Sequence, residues 1–176
     1  MKIFRILRIF VLTLVVILFA FVFLKDKDFL KFTRMFPQNL VSVYFTKVID
    51  QNDEQILPVK RKIIQDKSKS RLKFAIEELL KGPTLIEQRF GYFTEIPEKT
   101  ILLGIKETPE KIIINLSKDF EAGGGSQSMT LRLKQVIYTS INSVENKSVY
   151  LELNGKQVNY IGGEGVEVPY PLAEKN

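Results

Sequence analysis

The chain has 176 residues and contains neither cysteine nor histidine. The first absence excludes disulfides and a cysteine-borne lipid. A domain outside the cytoplasm must then hold together by packing alone, which suits a bacterial envelope better than a small eukaryotic secreted module. Together the two absences exclude zinc sites of the usual ligand set and Ser-His-Asp or Cys-His catalysis. No side chain remains whose ordinary pKa lies near neutrality. A strong excess of one charge is missing too. The net charge is +6, but without Lys2, Arg5 and Arg8 the rest carries 23 Lys and Arg against 20 Asp and Glu. A nucleic-acid footprint requires a larger and more clustered excess, so nucleic acid is not an expected partner.

What is present begins with an apolar run. Ile9 to Leu24 contains no charge and no proline, and Lys2, Arg5 and Arg8 precede it. With Ile3, Phe4, Ile6 and Leu7 it approaches the ~20 residues a helix needs to cross hydrocarbon, where every backbone polar group must pair within the segment. Lys25, Asp26, Lys27 and Asp28 cancel after it, which places the N-terminus in the cytoplasm and the rest outside. A secretory signal peptide shares the basic start but ends at a small-residue cleavage site. Here Ala20 is followed by Phe21, Val22, Phe23 and Leu24. An uncleaved single-pass anchor in a bacterial cytoplasmic membrane is therefore expected over a cleaved signal or a buried helix.

The expected organisation is residues 1–8 in the cytoplasm, 9–24 in the membrane, 25–38 as a juxtamembrane linker, 39–168 as one domain and 169–176 as a tail. In the linker Phe29, Phe32 and Phe36 recur at helical spacing among Lys27, Lys31 and Arg34. That pattern fits either a segment on the membrane interface or a tether tucked under the domain.

The domain opens with strands. Leu40 to Lys47 alternates Val41, Val43 and Phe45 against Ser42, Tyr44 and Thr46. After a polar turn from Asp50 to Asp53, Ile56 to Ile64 reads as an edge strand, because Pro58 cannot donate to a ladder and Lys60, Arg61 and Lys62 discourage pairing. Leu72, Ala75, Ile76, Leu79 and Leu80 form a helical stripe, with Ser68 or Ser70 as cap, Glu77 and Lys81 as an i,i+4 pair, and Gly82-Pro83 as the stop. A helical turn is expected at Leu85 to Gln88.

Ile101 to Glu107 and Lys111 to Ser117 read as strands joined through Pro109, with Ile101, Leu103 and Ile105 alternating in one and Ile112, Ile114 and Leu116 in the other. A second helix from about Met129 to Val144 buries Met129, Leu133, Val136, Ile137, Ile141 and Val144. Asn154-Gly155 turns a last hairpin whose returning strand carries Val158 and Tyr160, and Gly162 to Asn176 reads as a tail. The order predicts an α+β fold, a mainly antiparallel sheet with two helices on one face, after an N-terminal transmembrane helix.

No motif commits the chain to chemistry. Gly123-Gly124-Gly125-Ser126 precedes a helix, but it lacks the lysine of a phosphate loop and the spacing of a dinucleotide fingerprint. A tight loop with Ser126 or Ser128 as cap is the simpler reading. Glu77 and Glu78 diverge by ~100° on a helix. Asp119 and Glu121 would need a cleft around them to act as a pair. Ser117 and Lys118 point to opposite faces of a strand. No catalytic, cofactor-binding or metal-binding residue is assigned. The one electrostatic feature is a candidate interaction patch of Lys60, Arg61, Lys62, Lys69, Arg71 and Lys73, which would suit acidic lipid, an anionic wall polymer or an acidic protein surface.

Several segments, taken in order, resemble one family. Leu79-Leu80-Lys81-Gly82-Pro83-Thr84, Ile96-Pro97 with Thr100, Ile114-Asn115-Leu116-Ser117 with Phe120, Gly124-Gly125-Ser126, Gln135 with Thr139, and Asn154-Gly155 are similar to the GerMN domain of sporulation and germination proteins. The resemblance spans about Leu40 to Val168. It implies a compact α+β domain similar to ring-building motifs, working without catalysis through protein contacts in envelope assembly. It carries no catalytic residue. The family's type protein is a lipoprotein with two tandem copies, whereas this sequence shows one copy and no lipid-accepting cysteine. The expected partners are the lipid bilayer, through the N-terminal helix, and envelope proteins, in a homo- or hetero-oligomer.

Overall fold

A computed structural model of the chain describes residues 40–50, 53–63, 70–144 and 147–172, together with Thr13. By its contacts the chain divides into Met1–Gln38 and Asn39–Asn176, and all described residues except Thr13 belong to the second unit. The expected membrane segment apart from Thr13, the linker, the centre of the first polar turn, Ser68 and Lys69 lie outside the described residues. Among the described residues no helix is long and apolar enough to cross a membrane.

Among the described residues three α-helices and three small sheets build the domain. Strand β1 (Leu40–Asp50) pairs antiparallel with β2 (Asp53–Lys62) from Leu40 opposite Lys62 to Asp50 opposite Asp53. Its other side pairs with β3 (Tyr92–Phe93) only at Thr46 and Lys47. Pro58 sits in the outer strand of this sheet, where its missing N–H breaks no ladder. Helix α1 (Arg71–Leu80) starts where the Ser70 hydroxyl accepts the Lys73 N–H at 3.2 Å. It ends at Gly82, whose φ of +75° is costly for any residue with a Cβ. Lys81 pairs with Glu78, the i,i+3 neighbour. Helix α2 (Leu85–Arg89) follows at once and runs one residue beyond the expected turn.

The second sheet orders β4 (Leu102–Glu107), β5 (Lys111–Leu116), β6 (Ser148–Leu153) and β7 (Lys156–Gln157). One of its pairs departs from the mainly antiparallel arrangement that was expected. β5 and β6 run parallel, Ile112 opposite Val149 and Leu116 opposite Leu153. The cause is the connection between them: α3 (Ser126–Ile141) carries the chain back to the end from which β5 started, as a parallel pair requires. The architecture is thus α+β with mixed sheets.

Two further expectations change. An irregularity between Leu102 and Gly104 breaks the alternation of Ile101, Leu103 and Ile105. One inserted residue shifts every later side chain to the other face. Ile101 and Leu103 are therefore exposed, while Leu102 and Ile105 pack on the core. Ile141 is also exposed, because α3 ends there. Elsewhere on α3, Leu131 is buried, and Tyr138 is exposed with its ring edge-on to Tyr44 at 5.7 Å.

The core joins Val41, Val43 and Phe45 of β1 to α1, α3, β5 and β6. It continues past the last hairpin. Asn154 and Gly155 take the positive φ values of 47° and 77° that the turn needs. Tyr160, however, starts a separate small pair, β8 (Tyr160–Ile161) with β9 (Val166–Glu167). Beyond it Val168 and Leu172 are buried. Tyr170 stacks on Tyr150 at 5.7 Å, and its hydroxyl lies 2.6 Å from the Val158 carbonyl and 2.9 Å from that of Leu151.

Candidate interaction surface

Helix α2 is an exposed element held by hydrogen bonds at its start and by an ion pair from β2. Its Thr84 hydroxyl accepts the Glu87 N–H at 3.4 Å, and the Glu87 carboxylate accepts the Thr84 N–H at 2.7 Å, a reciprocal capping box. Thr-x-x-Glu spacing at Thr84 and Glu87 is the sequence signal that announces this helix start. Arg61 reaches the same carboxylate from β2 with a two-pronged contact, its Nη2 at 2.7 Å from Oε2, and its Nε lies 3.5 Å from Glu78 of α1. These bonds hold the Glu87 carboxyl at about 2, well below its ordinary 4.5, with the Arg61 hydrogen bond as the main cause. The same hydrogen bond raises the Arg61 guanidinium above its ordinary value. At the far end of α2, Gly91 accepts the Val48 N–H at 3.3 Å, tying the helix to β1.

This anchored helix buries none of its residues. Leu85 is 77% exposed, Ile86 67% and Phe90 68%. Val48 and Ile49 of β1 are each 48% exposed, and Val48 lines an open groove beside the later helix Ser126–Ile141. Sequence reading took Leu85 to Gln88 as a helical turn and missed that its apolar side chains face water. Periodicity shows which residues share a face, not whether another element covers that face.

The expected basic patch is divided. Arg61 points into the carboxylates of Glu87 and Glu78 rather than outward, and Arg71 donates to the Leu40 carbonyl. Lys60 donates to the Ser42 hydroxyl at 2.7 Å. Lys60, Lys62 and Lys73 are exposed.

The glycine-rich loop is built around a buried cation. Arg132, nearly two turns into α3, donates from Nη1 to the carbonyls of Phe120 (2.8 Å) and Ala122 (3.1 Å), and from Nη2 to that of Gly123 (2.8 Å) and the Ser128 hydroxyl (3.1 Å). Burial lowers its pKa, and the nearby Glu95 opposes that. Gly124 lies directly over this cluster: a Cβ there would meet Ser128 Oγ at 2.5 Å and Arg132 Nη2 at 2.8 Å. The helix N-cap is Gly125, not Ser126 or Ser128. The acceptor comes instead from Glu164, whose carboxylate takes both the Ser126 N–H (3.0 Å) and its hydroxyl. A carboxylate suits the positive end of a helix better than a hydroxyl does.

Gln135 and Thr139 have a precise structural task. Tyr44 of β1 lies beyond the reach of β3, so its backbone lacks a strand partner on that side. Its N–H donates to Thr139 Oγ1 at 3.0 Å, and its carbonyl accepts from Gln135 Nε2 at 3.4 Å. Gln135 Oε1 in turn accepts from Thr94 Oγ1 and the Glu95 N–H, both at 3.3 Å. Helix side chains thus take over where the ladder stops.

The carboxylates weighed for chemistry work separately. Asp119 accepts from the Ser117 hydroxyl at 3.0 Å, and Glu121 from the Gly162 N–H at 3.2 Å. Asp50, Asp53 and Glu54 line an open groove of about 640 Å³ beside α3. All three are exposed, and Glu54 is held by Gln127 at 3.1 Å. Among the described residues no group of three or more acids is placed to hold a metal ion. Gly82, Pro83, Pro97, Phe120, Gly124, Gly125, Gln135, Asn154 and Gly155 all fall at turns, caps or core contacts. Phe120 is wholly buried, and Thr100 donates its N–H to the Pro97 carbonyl at 2.9 Å.

Comparison with known proteins places this geometry. A family model described as Germane, sporulation and spore germination, matches residues 42–159. The fold is similar to the tandem GerMN domains of the sporulation protein GerM from Bacillus subtilis, with TM-score 0.60 and 21% identity over 77% of this chain and 45% of that one. The first GerMN domain of that protein gives TM-score 0.56 and 18% identity over 74% of this chain and 93% of the other. This chain therefore spans less than half of the tandem protein it resembles. No curated protein matches it.

Proposed function

The chain belongs to the Germane family of sporulation and spore germination proteins, and from that premise we propose that it is a membrane-anchored, extracytoplasmic domain. Its work is protein–protein contact in envelope assembly during sporulation or germination, without catalysis of its own. The apolar run from Ile9 to Leu24, with Lys2, Arg5 and Arg8 before it and Lys25, Asp26, Lys27 and Asp28 cancelling after it, supports the anchor and the orientation.

The observation that carries the interaction reading is α2. A capping box and an arginine clamp order a helix whose Leu85, Ile86 and Phe90 stay in water. Ordering costs conformational entropy, and exposed apolar clusters rimmed by polar residues mark protein contact sites. The test is the triple variant Leu85→Ser, Ile86→Ser, Phe90→Ser in the source organism. Expected is a loss of sporulation or germination as deep as deletion, with the protein folded and membrane-bound. Undiminished function would refute the reading. A reporter fused after Gln38 checks the orientation independently: it should report from outside the cytoplasm.

A further inference from the structure

The charges of the first hairpin are sorted by end. At one end Leu40 stands opposite Lys62 and Ser42 opposite Lys60; at the other Asp50 stands opposite Asp53, with Glu54 next to it. The 11 residues of β1 hold the two ends roughly 35 Å apart. Cross-strand partners share a face of a sheet. Lys60 and Lys62 therefore lie with Ser42 and Leu40, on the side away from the buried Val41 and Val43. Helix α1 joins the core with Val41 and Val43 on the opposite side, and Arg71 at its start donates to the Leu40 carbonyl. Arg71 and Lys73, both in the first turn of α1, thus bring two more cations to the same end from the other face of the sheet. All four side chains are exposed. Glu107, which lines a groove with Ser70 and Arg71, is taken by Lys147 at 2.5 Å.

Cations on both faces of a sheet but at one end fit a flat anionic surface. A plane touches the whole end at once, whereas a peptide or a polymer strand follows one face or one groove. The chain also enters the domain at this end. Residues 25–38 separate the apolar run from Asn39 and reach at most about 50 Å fully extended, so an anchored chain cannot carry this end farther than that from the membrane. We propose that the end of the domain carrying Lys60, Lys62, Arg71 and Lys73 docks on anionic lipid headgroups, with β1 pointing away from them. The inference rests on the anchor reading and adds an orientation to it. Asp50, Asp53 and Glu54, which anionic lipid would repel, then stand at the outer end. The bond from Val48 to Gly91 places the end of α2 toward that outer end as well, open to a partner.

The absence of cysteine supplies the experiment, because an introduced thiol is the only one in the chain. Full-length Ser42→Cys and Gln55→Cys, at the basic and acidic ends of the hairpin, each carry a fluorophore. They are placed in nanodiscs of phosphatidylcholine, with or without phosphatidylglycerol, that also hold lipid with a nitroxide quencher on its headgroup. With phosphatidylglycerol the Ser42 probe should be quenched more than the Gln55 probe. The difference should vanish in phosphatidylcholine alone and in about 1 M salt, where the Debye length is about 3 Å. Lys62→Glu with Lys73→Glu, two exposed positions on opposite faces, should weaken docking roughly tenfold or more without changing circular dichroism. Equal quenching of the two probes with phosphatidylglycerol, or a difference that survives charge reversal, overturns the proposal. Shielding of the Ser42 probe by purified anionic wall polymer, with no response to phosphatidylglycerol, gives the patch to the polymer and overturns the lipid assignment. An alkaline carbonate wash of native membranes tests the anchor separately. Retention of the chain without a probe difference overturns the docking and leaves the anchor reading standing, and release of the chain overturns both.

Discussion

Replacing Glu87 by Gln removes one charge but keeps a carbonyl oxygen that can accept the Thr84 N–H, so it separates the Arg61 ion pair from the capping box. The Glu87 carboxyl sits at about 2 against an ordinary 4.5. At 1.36 kcal/mol per unit that is ~3.4 kcal/mol of preference for the charged form. The side chain keeps 17% of its surface in water, and screening there cuts the usable part to roughly 1–2 kcal/mol. The sign follows from the depressed pKa. The contribution is present in full above about 4.5 and is lost as pH falls from there toward about 2. Urea unfolding of the domain from Asn39 onward, whose core lies wholly between Val41 and Leu172, should therefore show wild type ~1–2 kcal/mol more stable than Glu87→Gln at neutral pH. The gap should narrow below about pH 4.5 and close as the pH approaches 2. Arg61→Met in the Gln background should cost clearly less than in wild type, since the two groups share one interaction. A gap that does not change with pH, or no gap at neutral pH, would refute the ion-pair account of how α2 is held.

Three further outcomes follow from single atoms. Gly124→Ala combines a φ of +80° with a Cβ 2.5 Å from Ser128 Oγ, so it should destabilise by ~2–3 kcal/mol in a thermal or denaturant melt. Thr139→Val keeps shape but removes the acceptor of the Tyr44 N–H. It should cost ~1–3 kcal/mol and speed hydrogen exchange at that amide more than at Val43, and equal protection at Tyr44 would contradict the edge-capping role. Thr46→Val should be neutral or stabilising by up to ~1 kcal/mol, because Thr46 Oγ1 is buried with no hydrogen-bond partner among the described residues. A clear loss in unfolding free energy would show that the hydroxyl has a partner.

The sequence was most legible where geometry is local. The alternation of Val41, Val43 and Phe45, the stripe of Leu72, Ala75, Ile76 and Leu79, and the Asn154-Gly155 turn each depend on a few neighbouring residues, and each stands in the structure as read. The reading failed where one residue or one distant partner decides. The irregularity before Gly104 reverses which of Leu102 and Leu103 is inside. Glu164 takes the capping role that Ser126 and Ser128 seemed suited for, from 38 residues away. Arg61 looked like part of a basic surface because its partners Glu78 and Glu87 lie on other elements.

By itself, then, the sequence determined composition-level and local facts: no cysteine or histidine chemistry, an apolar N-terminal run, the identity of most elements, and a GerMN-like order of motifs. These depend on residue type and short-range spacing, which are written in the chain. Tertiary structure alone decided that β5 and β6 run parallel, that Val168 and Leu172 enter the core, and that α2 presents its apolar side chains to water. Exposure is a property of what lies opposite a residue. Periodicity names a face, and only the packed chain shows which faces find a partner within the domain and which are left for one outside it.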